Sequence, residues 1–433
     1  MQKYSVFSLV KNAFTNHQDW EVAWKDPEPK KEYDVIIIGG GGHGLATAYY
    51  LAKEHGITNV AILEKGWIGG GNVGRNTTIL RSNYMFDSNA HFYEFGMKLW
   101  ETLSQELNYN VMYSPRGIIN LAHSDAQMNA YARRGNSMRL NGIDAILLGR
   151  DEIKQMIPFA DFSETCRFQI HGGLMQPRGG TARHDAVAWG YARQANSMGV
   201  DIIQNCEVTG FDVNNGKIEG VQTSRGSIKT KKVGLCVAGS TTLLADMLNM
   251  RLPIEAHVLQ ACVSEPVKPL LHQVVTFGAG HFYCSQSDKG EMVMGGDLDG
   301  YNSYAQRGNM PMIQHVLTGG LAVFPNFSRL KMLRTWGGIM DMSMDGSPII
   351  DKTHIDGVYL NCGNLARSTD MAAACADLAM AAAADEGNPA IFPKYGVASD
   401  SWANARLKRV KDQRWSHCQD KLQLACGECL CHR

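Results

Sequence analysis

The segment Tyr33–Lys65, YDVIIIGGGGHGLATAYYLAKEHGITNVAILEK, constrains the fold more than any other part of the chain. Val35–Ile38 is a run of β-branched residues, the composition of a strand buried on both faces of a parallel sheet. It leads into Gly39, Gly41 and Gly44, which fall in the G-x-G-x-x-G spacing. The first glycine allows a tight strand-to-helix turn, the second lets backbone approach a pyrophosphate, and the third lets the helix pack closely on the strand. Leu45, Ala48, Leu51 and Ala52 follow at helical spacing, and a second strand, Val60–Leu63, delivers Glu64. An acid there accepts ribose hydroxyls and disfavours a 2′-phosphate. The unit therefore predicts a site for FAD or NAD rather than NADP.

A chain of 433 residues and 47.7 kDa is too long for one simple core, so two interleaved domains are expected. The 42 acids balance the 42 Lys and Arg, which gives no electrostatic case for nucleic acid or an anionic membrane as partner. Eleven scattered Cys suit free thiols in a reducing compartment. The apolar run Val6–Val10 is broken by Ser8 and followed by Lys11, so no signal peptide is read there. No run approaches the ~18 apolar residues of a membrane span, and the expected location is cytoplasmic.

Residues 1–32 read as an arm with little periodicity. Its aromatics Tyr4, Phe7, Phe14, Trp20 and Trp24 would dock either on the chain's own surface or on another subunit. Beyond Glu64 and Lys65, the glycines Gly66, Gly69, Gly70 and Gly71 form a loop suited to wrapping a cofactor's phosphates and ribityl chain. Arg75 and Arg81 follow. A lone Arg is commonly a surface charge, but Arg81 lies in the small-polar context Leu80-Arg81-Ser82-Asn83-Tyr84, where a fork could bind a carboxylate. His91–Leu107 predicts an amphipathic helix with Phe92, Phe95, Leu99 and Leu103 inward. Residues 106–174 lack glycine fingerprints and are expected to form a cap lobe.

The next informative stretch is Gly172–Asp185, a glycine-rich basic loop running into a helix. A histidine at a loop end, such as His184, is commonly a polar surface residue. Its company of Arg178, Arg183 and close glycines resembles an anion-binding nest. Gly199–Ile203 predicts a strand of the first sheet, Val221–Val237 a hairpin about Arg225-Gly226, and residues 253–297 an antiparallel sheet offering a second face to a substrate. The fold class is thus α/β, a Rossmann-type dinucleotide domain interleaved with an α+β substrate domain. The boundaries fall at 33–105, 175–250 and 330–363 for the first, and at 106–174 and 251–329 for the second. Residues 364–433 are Ala-rich and then basic and Cys-rich. Cys426-x-x-Cys429-x-Cys431 has no second cluster, so no metal is expected.

The fingerprint segment, with NTTILRSNY, QPRGGTARHDAVAW, GVDIIQNCEVTGF, RTWGGIMD and DGSPII, resembles the β subunits of bacterial heterotetrameric sarcosine oxidases. These belong to the amine-oxidising flavoproteins that include monomeric sarcosine oxidase and D-amino-acid oxidase. The resemblance implies FAD held non-covalently at Gly39, Gly41, Gly44 and Glu64, with Lys65, Gly70, Gly71 and Val208 as further cofactor contacts. It implies FMN bound covalently through His184 at the junction with an α subunit, and Arg81 as the clamp on the substrate carboxylate. The implied reaction is oxidative demethylation of sarcosine to glycine. Electrons pass to O2 to give hydrogen peroxide, and the one-carbon unit goes to tetrahydrofolate on the α subunit of an α, β, γ, δ complex. An oxidase or dehydrogenase of glycine or dimethylglycine, or a non-catalytic flavin-carrying subunit, is the alternative. The family normally continues from its NCG strand into a GGFK-type turn. Here Gly363 precedes Asn364-Leu365-Ala366-Arg367, which reads as a shifted frame.

Overall fold

The computed structural model describes residues 5–18, 22–84, 87–343 and 348–363. The atypical tail 364–433 lies outside them. The fingerprint strand sits in the middle of a six-stranded sheet. In spatial order its strands are Ile349–Lys352, Val358–Cys362, Val233–Leu235, Val35–Ile38, Val60–Leu63 and Asp201–Ile203, parallel except for the first. The β-branched run is buried throughout because both faces are covered. Val35 and Ile37 pack with Leu45, Tyr49 and Leu51 of helix Gly42–His55 and Tyr191 and Ala195 of helix His184–Ser197. Ile36 and Ile38 pack on the other face with Ile218, Val221 and Ile228 of a three-stranded antiparallel sheet, Val208–Asn214, Lys217–Thr223 and Gly226–Lys229.

Two readings of this half are corrected. Only Gly226–Lys229 pairs back in the expected hairpin; Val233–Leu235 instead enters the parallel sheet beside Val35–Ile38. Helix Asp87–Glu106 turns Tyr93, Met97, Trp100 and Leu103 inward, leaving Phe92, Phe95 and Leu99 half-buried. Two apolar stripes overlap on that helix. The one that meets the core under helix Gly42–His55, through Met97, Trp100 and Leu103, is the one buried.

The second lobe is an eight-stranded sheet in the order Met332–Ser343, Ile254–Pro266, Glu291–Asn302, Phe282–Gln286, Val274–Phe277, Ile118–Ala122, Gly172–Gln176 and Ile146–Gly149. It is antiparallel but for the parallel pairing of Val274–Phe277 with Ile118–Ala122. Met332–Ser343 pairs along Ile254–Pro266, and Met175 and Gln176 lie in Gly172–Gln176, so these residues belong with this sheet rather than with the dinucleotide domain. One face buries Val275, Phe277, Phe282, Cys284 and Met294 against Ile313, Val316 and Val323 of helix Met310–Val323 and Ile153 of helix Arg150–Met156. Among the described residues no helix is long and apolar enough to cross a membrane.

The arm contains an element its sequence did not suggest, the helix Val6–Phe14, capped by Ser5 Oγ accepting from Ser8 N at 3.1 Å. None of its residues is buried, and Val6, Phe7, Leu9, Val10 and Phe14 are exposed. Farther along, Trp24 packs on the first core and Lys25 N donates to Asn196 Oδ1.

The lobes are joined through the loop that follows Glu64. Asn72 lies against the edge strand Met332–Ser343: its Nδ2 donates to the Ile339 carbonyl, and its Oδ1 accepts from Ile339 N at 3.0 Å. Trp336 Nε1 donates to the Arg75 carbonyl at 2.7 Å. Asn72→Ala would leave both backbone groups of a buried edge residue without these partners. We expect a loss of about 2–3 kcal/mol in denaturant unfolding, and an unchanged midpoint would mean that water replaces both bonds.

Candidate dinucleotide and carboxylate site

The glycines divide into those that pack on the chain itself and those that face open space. Gly39 has φ +110°, and a Cβ there would lie 2.4 Å from the Cys236 carbonyl oxygen. A Cβ on Gly44 would lie 1.9 Å from the Gly39 carbonyl oxygen, so helix Gly42–His55 starts as close to the strand turn as backbone allows. Gly40, outside the fingerprint positions, is equally restricted, 2.8 Å from the Glu64 Cβ. By contrast, a Cβ on Gly41 would meet only Val73 Cγ2 at 3.7 Å, and one on Gly71 nothing within 4 Å. Gly70 packs on Trp67. Gly41 is also the N-cap of the helix and supplies no side-chain cap, so the first N–H groups and the positive end of the dipole face that space. This is a cradle that fits a pyrophosphate.

Glu64 holds the cradle together. Its Oε2 accepts from Gly40 N at 2.7 Å and its Oε1 from Gly66 N at 2.8 Å. Each oxygen retains a lone pair, so the carboxylate can still accept ribose hydroxyls. The segment after strand Asp201–Ile203 wraps the same turn: Cys206 N donates to the Glu64 carbonyl, Asn205 N to that of Gly66, and Gln204 Oε1 accepts from Ile68 N. Val208 lies two residues on, buried in the second core and paired with Thr223. Lys65 is exposed. His43, in the first turn of the helix, has Nδ1 3.2 Å from Asn361 Oδ1, and desolvation lowers its pKa to about 4. The ring is neutral at pH 7 and adds no charge to the cradle.

Arg81, Arg178 and Arg183 are the sequence's candidates for anion binding, and the structure separates them from one another and from the nearby Arg75. Arg75 donates to the Gly70 and Gly71 carbonyls. Arg178 forms ion pairs with Glu94 at 2.5 Å and Glu101 at 2.6 Å. Arg183 makes a bidentate pair with Asp185, at 2.8 and 3.0 Å. Arg81 alone of the four, among the described residues, meets no carboxylate or carbonyl. It is half-buried and stacks on the Tyr84 ring, 5.4 Å from its centroid. It follows the short strand Ile79–Leu80, which pairs with Gly180–Thr181. Its neighbours are locked. Ser82 N donates to Gln176 Oε1 at 2.9 Å, Ser82 Oγ to Glu94 Oε2 at 2.8 Å, and Asn83 Nδ2 to Asn120 Oδ1 at 2.8 Å.

His184 is the first residue of helix His184–Ser197 and is half-buried. Desolvation lowers its pKa; Asp185 opposes this, and Arg183 and Arg334 add to it. The sequence reading of Arg178 as part of a nest around His184 is corrected, because its guanidinium is held by Glu94 and Glu101. Arg334 takes the second cationic place. It comes from strand Met332–Ser343, a partner that no local motif could have signalled. The imidazole is neutral at pH 7, the form in which a ring nitrogen carries a free lone pair.

Residues 34–382 match the family model described as FAD dependent oxidoreductase. A sarcosine oxidase subunit beta of Rhizobium meliloti (strain 1021) is 63% identical over 361 residues, 83% of this chain and 86% of that protein. The chain belongs to the FAD-dependent oxidoreductases, with the sarcosine oxidase β subunits. A second such subunit, from Rhodobacter capsulatus, is 53% identical across 84% of this chain and 87% of its own length. Among solved structures, L-proline dehydrogenase from P. horikoshii superposes with a TM-score of 0.78 at 24% identity, covering 88% of this chain and 99% of its own. Glycine oxidase from Bacillus cereus gives 0.72 at 22%, covering 82% and 96%. These two likenesses establish the shared fold.

For a family member the cradle has a pH signature. The His43 imidazole stays neutral in the fold down to about 4, whereas in the unfolded chain it protonates near 6.5. The unfolded state takes up the proton first. Stability is therefore complete above pH 6.5 and falls as pH drops toward 4, by on the order of 3 kcal/mol. His43→Gln should flatten that stretch of the stability profile, and an unaltered slope would assign the acid sensitivity to other groups.

Proposed function

We propose that this chain is the catalytic β subunit of a sarcosine oxidase and that it oxidises the N-methyl C–N bond of sarcosine. The observation that carries this reading is Arg81: a half-buried guanidinium with no acid of its own among the described residues, on the segment that leads on from the cradle loop. The high identity to proteins named as sarcosine oxidase β subunits supports the choice of substrate. The chemistry supplied by bound flavins is acceptance of reducing equivalents from the amine and their delivery to oxygen, giving hydrogen peroxide. The residues of the chain bind and orient. Backbone N–H groups at Gly41 and the helix start hold the pyrophosphate of FAD, Glu64 takes the ribose hydroxyls, and Arg81 grips the substrate carboxylate as a bidentate fork.

His184 is proposed to carry FMN covalently. A neutral imidazole is the nucleophilic form, and its burial, with Arg183 and Arg334 nearby, keeps it so. Glycine and a formaldehyde-level carbon leave the site, the latter to tetrahydrofolate on an α subunit. The apolar face of helix Val6–Phe14 suits a contact with the α, γ or δ partners of such a complex.

Two substitutions test this. Arg81→Lys keeps the charge but loses the fork, and should weaken sarcosine binding at least tenfold, about 1.5–3 kcal/mol. An unchanged dissociation constant would make Arg81 a surface charge. His184→Asn should lose the acid-stable yellow adduct while FAD remains bound. Full covalent flavin in that variant would place the attachment on another residue.

A further inference from the structure

One register row crosses the second sheet through Asn120, Thr276, Tyr283, Gly295, Ala261 and Trp336, each paired with the next. Paired residues share a face. The opposite face carries Val275, Phe277, Phe282, Cys284 and Met294 with the helices packed on them, so the row looks away from that core. Two of its members reach the segment that bears Arg81. Asn83 Nδ2 donates to Asn120 Oδ1, and Asn120 Nδ2 donates onward to Thr276 Oγ1, both at 2.8 Å. Four residues before Arg81, Thr77 Oγ1 donates to Tyr283 Oη at 3.3 Å. Gly295 makes room for that ring, since a Cβ there would lie 2.4 Å from Tyr283 Oη.

Arg81 is thus bracketed by side-chain ties to the second sheet, through Thr77 and Asn83, with Gln176 of the same sheet holding Ser82 between them. Asn83 is fully buried and Asn120 nearly so, at 0% and 7% exposure, so water cannot readily take over the amide bond between them. Arg134 Nε donates to the Asn83 carbonyl at 2.8 Å, which fixes the same residue from behind.

We infer that Asn120 is a positioning residue: through Asn83 it sets where the Arg81 guanidinium meets the substrate carboxylate. The inference rests on the reading of Arg81 as the carboxylate clamp. A planar fork gains its strength from alignment, so a small displacement of the segment weakens a bidentate pair far more than it weakens a diffuse attraction. Thr276 acts one step earlier, by holding the Asn120 amide in the orientation that offers its oxygen to Asn83.

The test uses the flavin-loaded protein and two probes that divide the substrate: acetate, a carboxylate without an amine, and dimethylamine, an amine without a carboxylate. Asn120→Leu should weaken acetate binding, followed by the flavin absorbance change, fivefold or more. KM for sarcosine should rise by the same factor, kcat should change less than twofold, and dimethylamine inhibition should be unaffected. Thr276→Val, nearly isosteric, should act in the same direction by about twofold and decides the matter if Asn120→Leu does not fold. In an Arg81→Ala background, Asn120→Leu should have no further effect on acetate. Equal weakening of acetate and dimethylamine would show general loosening and overturn the positioning role. So would wild-type acetate affinity in both variants while Arg81→Ala loses it, a result that leaves the clamp intact. Wild-type acetate affinity in Arg81→Ala would instead overturn the clamp, and the positioning role with it.

Discussion

The stretch Gly66–Tyr84 satisfies several of its backbone groups on residues of the other lobe. It leaves the carboxyl end of a parallel strand with little regular structure, yet several of its residues are buried, and buried N–H and C=O groups need partners. It finds them across the gap. Trp336 serves the Arg75 carbonyl, Gln176 serves Ser82 N, and Arg134 serves the Asn83 carbonyl. Side chains answer in kind, Asn72 on Ile339 and Asn83 on Asn120. The two sheets are held against each other by these bonds. The crevice at the carboxyl ends of the parallel strands, where such sheets bind ligands, thereby acquires its second wall.

The parts of the fold that could be read from sequence are those whose cause is local. A β-branched run, three glycines at fixed offsets and a terminal acid each impose their own geometry, and Val35–Leu63 folds as its residues require. The helix face at Tyr93, Met97 and Trp100 could not be read, because Phe92, Phe95 and Leu99 make an equally good stripe and only the position of the neighbouring core chooses. Val233–Leu235 was assigned to a hairpin because it follows one closely. Its real partners, Val35–Ile38 and Val358–Cys362, lie far away in sequence. The edge strand Met332–Ser343 was given to the wrong lobe for the same reason.

The candidate site repeats the pattern. The turn geometry around Gly41 and Glu64 is legible from spacing. Gly40 is hidden because its constraint is the Glu64 side chain beside it, and the Asn83–Asn120–Thr276 chain of hydrogen bonds is hidden because only the register of a sheet brings Asn120 and Thr276 together. Arg178 was misread for a reason that can be stated in charges. A sequence shows a cation in a glycine loop but not the Glu94 and Glu101 that already hold it.

That last distinction bears on the proposed role of Arg81 as a carboxylate clamp. A protein that binds an anion with a fork must keep that fork unsatisfied in its own fold, while leaving few other exposed cations nearby to compete for the same ligand. Here Arg75, Arg178 and Arg183 are quenched by carbonyls or acids, and His43 and His184 are held neutral by burial. The cradle offers a phosphate the first N–H groups and the positive dipole end of helix Gly42–His55. Arg81 is left as the unquenched cation of the group, its planar guanidinium lying over the Tyr84 ring. On the proposed reading, a carboxylate would meet one strong, directional partner in Arg81, and the orientation of whatever is attached to that carboxylate would follow from it.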